Sequence, residues 1–344
     1  MSNAPRWRFE RCTDPPASLT PPDLSKAPYG WKEQYEIIRK LRKSCKAPYD
    51  TDGPELLPNK LQGENVFHWQ CLVAAILCGQ SDHPAGVAAS FRRLVVDTCN
   101  DDNFNFSQFS VLAAGGLTDA QIAGKIKGRP CASFGGKKAS FIKMGADYIN
   151  SKCDGKVPTT FTALKALPGV GVNTANLTLG FMGKPYTMPI YDPQEYIHTL
   201  CERMGWFKGG NFSDTIKSLE TWFPYQGWHQ LPRMLIGLGQ ILEEDAGVLV
   251  EAALSGADPL PAIKFLADIG VPLTRFAKSP SNEIHPYTVK FDVKTLAESK
   301  GLQDVVAYLD SREEVDKQIE ERLSRKLARE AEEQQQRENA EAAA

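Results

Sequence analysis

The sequence predicts an all-α protein on three observations. From about Trp31 to Glu243, apolar residues recur at helical spacing with almost no period-two alternation. Cap residues and glycine turns punctuate these stretches, as at Thr159-Thr160 and Gly169-Val170-Gly171. Finally, 42% hydrophobic against 24% charged residues is an ordinary globular composition. At about 150 residues per domain, 344 residues allow two domains, or one larger domain with appendages.

Taken in order, residues 1–30 hold Pro15, Pro16, Pro21, Pro22 and Pro28 among polar residues and read as a flexible leader. Helical patterns then follow at Trp31 to Lys43, Trp69 to Cys78, 137 to 149, Ser213 to Phe223 and Trp228 to Leu242. Trp69, Trp206, Trp222 and Trp228 fall in helical patterns and read mostly as core residues. Farther on, Ala252 to Gly256 with Ala262 to Leu266 is echoed by Leu296 to Gly301 with Val305 to Leu309, at a spacing of 45 between the glycines. This echo of residues 250–310 fits either ankyrin-like repeats with an insertion at 276–287 or two ordinary helical hairpins. Residues 311–344 form a charged tail in which Val315, Ile319, Leu323 and Leu327 mark a helix with a thin apolar stripe.

Several function classes are disfavoured. The apolar run at 72–78 is far shorter than the roughly 20 residues of a membrane span, so no membrane role is expected. The first ten residues lack the apolar block of a secretory signal. The eight cysteines form no Cys-x-x-Cys pair, so neither a zinc site nor a disulfide framework is written in their spacing, and they read as reduced thiols. The five histidines show no metal-ligand spacing. The net charge of −2 hides an acidic tail. Residues 301–344 carry 12 acidic and 7 basic side chains, which leaves the rest of the chain at +3. Within it, residues 120–146 hold Lys125, Lys127, Arg129, Lys137, Lys138 and Lys143 and no acid, either a phosphate-facing surface or a solvated helix face.

The informative stretch is Leu164-Lys-Ala-Leu-Pro168-Gly169-Val170-Gly171-Val172-Asn173-Thr174-Ala175. The threonines offer caps, Phe161 to Leu167 a short helix, and the Gly-x-Gly turn lets a second helix begin near Val172. In such a helix-hairpin-helix, backbone N–H groups approach a phosphate beside the positive end of a helix dipole, a clamp blind to base sequence. The plainer reading is a glycine-capped turn between packed helices.

These residues resemble the helix-hairpin-helix DNA glycosylases, and within them the endonuclease III family in its eukaryotic form. The likeness covers about residues 31–245. It includes Trp31, Gln34, Ile38, Arg39, Leu41, Arg42, Ala47-Pro48, Leu77-Cys78-Gly79-Gln80-Ser81-Asp82 and Phe134-Gly-Gly-Lys137-Lys138-Ala139. It continues with the hairpin, Cys201-Glu-Arg203-Met-Gly-Trp206 and Ile236-Gly-Leu-Gly-Gln240. The resemblance implies a two-lobed all-α fold and a base-excision repair protein that binds duplex DNA and flips out a damaged base. It makes Gln80 the residue that enters the DNA stack, Gly169, Val170 and Gly171 the phosphate clamp, and Lys137 and Lys138 backbone contacts.

Three departures bear on mechanism. Where bifunctional members carry a Schiff-base lysine, this chain has Asn173, whose amide nitrogen is no nucleophile, so that lyase route is closed while hydrolytic base release stays open. The catalytic carboxylate falls on Asp192, whose Asp192-Pro193-Gln194-Glu195 context also reads as a capping box; counting back from Arg203 and Trp206 puts Gln194 in that slot instead. The site is accordingly either a monofunctional DNA N-glycosylase or an inactive relative serving as a DNA-binding scaffold. The family's iron–sulfur cluster needs four cysteines; none follows Cys201 and Glu243 stands at the first ligand position, so no cofactor is expected. The expected partners are double-stranded DNA and, through the C-terminal repeats and tail, a protein; the expected compartment is the nucleus, or else the mitochondrion.

Overall fold

The computed structural model describes residues 21–318 apart from 82, 100–108, 129, 275–286 and 288, together with 321 and 325. Every regular element among the described residues is helical. The chain divides into two compact units, one of residues 1–31 with 46–237 and the other of residues 32–45 with 238–344. These units cut the chain differently from the segments expected at 30, 245 and 310. Helix α1 (Trp31–Ser44) contributes almost all its length to the unit that holds the C-terminal residues.

In the first unit, α2 (Tyr49–Asp52) leads to α3 (Glu64–Cys78), which is buried on every face from Phe67 onward and therefore central, with Trp69, Leu72, Val73 and Leu77 fully buried. Around it pack α4 (Pro84–Cys99), α7 (Gly135–Lys152) and α9 (Val172–Phe181), with α5 (Val111–Gly116) and α6 (Asp119–Ile126) against α7. Helix α6 starts at a capping box in which the Thr118 hydroxyl accepts the Gln121 N–H while the Gln121 side chain accepts that of Thr118. Thr118→Ala should lower unfolding free energy by about 1 kcal/mol in a urea titration, since both orphan donors depend on that pair.

Helix α8 (Phe161–Lys165) precedes α9, and α10 (Tyr196–Arg203) and α11 (Phe212–Trp222) follow it. Trp222 takes edge contacts from Trp31 at 5.3 Å and Trp206 at 5.6 Å, which helps hold Trp206 and Trp222 in core positions. Helix α12 (Leu231–Asp245) closes the unit and continues into the next. Of the expected leader, residues 1–20 lie outside the described residues. Its last part is held, because the Asp23 N–H donates to Thr221 O at 2.7 Å ahead of a 3-10 turn at Leu24–Lys26.

In the second unit, α13 (Gly247–Leu254) and α14 (Pro259–Asp268) form one helical hairpin, and α15 (Val293–Ser299) with a helix at 303–318 forms another. Two side-chain contacts join them. Lys300 Nζ donates to Ser255 Oγ at 3.1 Å from turn to turn, and Lys264 lies 5.5 Å from the Tyr308 ring between the second helices. The insertion expected at 276–287 lies outside the described residues except for Tyr287, as do Ile319, Leu323 and Leu327 of the tail stripe.

Candidate functional site

The hairpin forms as its residue types dictate. Thr160 caps α8, its hydroxyl accepting the Ala163 N–H, while Leu164, Leu167 and Val170 turn inward. Gly169 sits at φ +73°, and a Cβ there would meet the Phe141 ring at 2.3 Å, so the fold itself requires this glycine. Gly171 differs. Its backbone is extended, it is exposed, and a Cβ there would meet nothing within 4 Å. Val170 corrects the expectation for the clamp: its side chain is buried and its N–H already donates to Leu167 O at 3.2 Å. The N–H groups such a turn can offer are those at the start of α9, which by helix geometry have no intrahelical acceptor. Asn173 lies exposed in that same first turn.

Lys137 is exposed, its ammonium 5.9 Å from the centroid of the Phe141 ring that underlies Gly169, so it shares a surface with the hairpin. Lys138 corrects the expectation of a backbone contact. It is 4% exposed, and its Nζ donates to Leu77 O at 2.7 Å and Ser81 Oγ at 2.5 Å. Adjacent residues on α7 stand about 100° apart, so the two lysines point in different directions. Gln80 follows α3 in the left-handed conformation at φ 53°, exposed to solvent, a backbone state that costs a non-glycine residue roughly 1–3 kcal/mol unless its surroundings fix it. Asp82 of the same motif lies outside the described residues.

Phe134 received no role from the sequence. It too is left-handed, at φ 56°, and its ring is 62% exposed at the start of α7. An aromatic residue directly before Gly135-Gly136 was the available signal. The two strained residues are linked, because the Ser133 N–H donates to Ser81 Oγ at 3.2 Å.

Asp192 is 7% exposed. The expected capping box is not formed: α10 begins at Tyr196, and residues 192–195 make a turn closed by the Glu195 N–H on Asp192 O at 3.2 Å. Pro193 fits the second position of such a turn, which absorbs residues expected to be helical. The Asp192 carboxylate reaches across it, Oδ2 accepting the Ile197 N–H at 2.8 Å, while Oδ1 is buried and makes no hydrogen bond. Burial raises its pKa from 3.8 to about 6, against the pull of the Ile197, Tyr196 and Gln194 N–H groups. Gln194 is exposed.

The buried phenol of Tyr49 is pushed well up, by burial first and then by Glu55, Cys78 and Asp192 nearby. Glu55 is raised by burial despite the Arg233 guanidinium, whose Nε stands 3.1 Å from its Oε1. These polar groups escaped sequence reasoning because Ala47 to Leu57 show no periodic pattern.

Among the described residues, the cysteines are not grouped as the four thiolates of an iron–sulfur cluster require. Cys71, Cys78 and Cys201 are buried thiols whose pKa values burial drives upward. Among the described residues, no group of three His, Cys, Asp or Glu side chains could hold a metal ion. No helix among them is long and apolar enough to cross a membrane.

The chain is 26% identical over 215 residues to an endonuclease III-like protein 1 of Bos taurus, covering 62% of this chain and 65% of that protein. It is 24% identical over 276 residues to an endonuclease III homolog of Schizosaccharomyces pombe, covering 77% of this chain and 73% of the other. The chain is an endonuclease III relative. No family model matches it. Solved structures similar to this endonuclease III relative include a non-covalent endonuclease III–DNA complex, with TM-score 0.42, 17% identity, and coverage of 70% of this chain and 94% of that one. A thermostable thymine-DNA glycosylase has TM-score 0.42 at 13% identity, covering 65% of this chain and 96% of that one.

Proposed function

We propose that this protein binds double-stranded DNA, turns a damaged base out of the stack, and releases it by hydrolysis as a monofunctional DNA N-glycosylase in base-excision repair. The observation that carries the reading is Asp192, a buried carboxylate with one oxygen free of hydrogen bonds and a pKa raised to about 6. At neutral pH such a carboxylate is ionised and can stabilise the positive charge that develops on the sugar as its bond to the base breaks. Asn173 supplies no nucleophile, so water completes the reaction. Gly169, Gly171 and the start of α9 receive the phosphate backbone, Lys137 adds charge beside them, and Gln80 fills the space left by the base.

Each relative named above is called endonuclease III-like or an endonuclease III homolog, which agrees with work on DNA; the nucleus or the mitochondrion is the matching compartment. A second reading, a DNA-binding scaffold without chemistry, is favoured by one observation: Asp192 Oδ2 already serves α10. In that reading the C-terminal hairpins and the tail carry the protein partner.

Duplexes bearing single damaged bases separate the two. Release of free base with an abasic product, and no borohydride-trapped adduct, is the expected result. Unchanged duplex at excess protein, with tight salt-sensitive binding, supports the scaffold. Failure to bind any duplex at low salt removes both.

A further inference from the structure

We propose that Lys138, Ser81 and Tyr191 form a buried positioning network that holds the Gln80 turn in its left-handed conformation and ties it to the loop bearing Asp192. The inference rests on the roles proposed above for Gln80 and Asp192. The Ser81 hydroxyl uses its full capacity, donating to Leu77 O at 2.8 Å and accepting from Lys138 Nζ at 2.5 Å and the Ser133 N–H at 3.2 Å. Lys138 Nζ also donates to Leu77 O, a carbonyl in the last turn of α3, where the helix leaves acceptors unfilled and its dipole favours a cation. From the other side, the Tyr191 phenol donates to Ser81 O at 2.9 Å. Tyr191 is covalently next to Asp192, so one residue on either side of a single hydrogen bond separates the stack-entering side chain from the carboxylate.

A lysine serving only as packing could be a methionine. This one places three buried polar groups around a turn whose Gln80 sits at φ 53°, a state that neighbouring interactions must enforce. The network therefore makes turn conformation and carboxylate placement one event. Gln80 can enter the stack only from a turn that also fixes the Asp192 loop.

The test compares Lys138→Met and Tyr191→Phe with the unchanged chain. The probe is a duplex carrying 2-aminopurine beside a tetrahydrofuran abasic analogue, whose fluorescence reports unstacking. Amide hydrogen exchange at residues 79–81 is followed without DNA. Both variants should speed that exchange and lower the unstacking signal, about fivefold for Tyr191→Phe and about tenfold for Lys138→Met. The slope of log affinity against log salt should stay unchanged, whereas a phosphate-contacting lysine would reduce it by about one. Unaltered exchange in Tyr191→Phe, or a reduced slope in a folded Lys138→Met, overturns the proposal. Should Lys138→Met not fold, Tyr191→Phe decides alone, because losing one buried hydroxyl leaves the packing in place. An unchanged chain that binds no duplex refutes the proposed function instead, and hydrogen exchange then decides the network.

Discussion

Asp192→Asn should abolish base release and, at neutral pH, make the protein more stable. The sign follows from the direction of the shift. The carboxyl has a folded pKa of about 6 against an ordinary value of 3.8, so the folded state binds the proton more tightly than the unfolded one. Stability linked to this group is fully present below about pH 4 and is lost as pH rises through about 6. Two units correspond to roughly 3 kcal/mol, the upper limit of what an uncharged side chain could recover at pH 7.5. Asparagine keeps one acceptor for the Ile197 N–H but brings amide donors of its own, so the net gain is smaller. Denaturant titrations should show the variant more stable than the parent at pH 7.5 and not at pH 4. Excision should fall on the order of 10²–10³-fold or more, as when a charge-stabilising group is removed from an active site. In the parent, the rate should drop about tenfold per pH unit below about 6 and level off above it. A variant that is less stable at both pH values yet still releases base would make Asp192 an ordinary helix cap.

The helical class, the start of α9 and the hairpin were legible because helical period and glycine turns are local signals. Trp222, Trp206 and Trp69 could be placed in the core for the same reason. What was not legible depends on rotation about a helix axis or on groups distant in sequence. Lys137 and Lys138 are adjacent in the chain, and charge counting treated them alike. Only the docking of α7 on α3 shows that one is exposed and the other spans a 61-residue separation to reach Leu77. The capping box at Asp192 was misread since Asp-Pro-x-Glu suits both a helix start and a turn; the tertiary structure takes the turn, and the carboxylate reaches Ile197 five residues on. Tyr49, Glu55 and Arg233 come together from positions about 180 residues apart, with no motif to announce them.

The two hairpin glycines should respond in opposite ways to alanine. At Gly169 a methyl group must adopt φ +73° and also displace the Phe141 ring from 2.3 Å. Strain of about 1–3 kcal/mol from the backbone and a similar amount from overpacking should destabilise the fold by about 2–6 kcal/mol. Any loss of DNA binding in that variant would follow from partial unfolding. At Gly171 the backbone is extended and the space around a Cβ is empty, so alanine costs the fold nothing and, by restricting the unfolded chain, should stabilise it by about 0.4–1 kcal/mol. The same methyl group would stand where a phosphate must approach the first N–H groups of α9. Losing one charge-assisted hydrogen bond of about 1.5–3 kcal/mol weakens duplex affinity roughly 10–100-fold. A glycine that the fold does not need and the ligand does is therefore distinguished by a single pair of measurements, melting temperature and duplex affinity moving in opposite directions. Gly171→Ala with unaltered affinity would mean that the turn only joins two helices, and the DNA contact would have to be sought elsewhere on the surface.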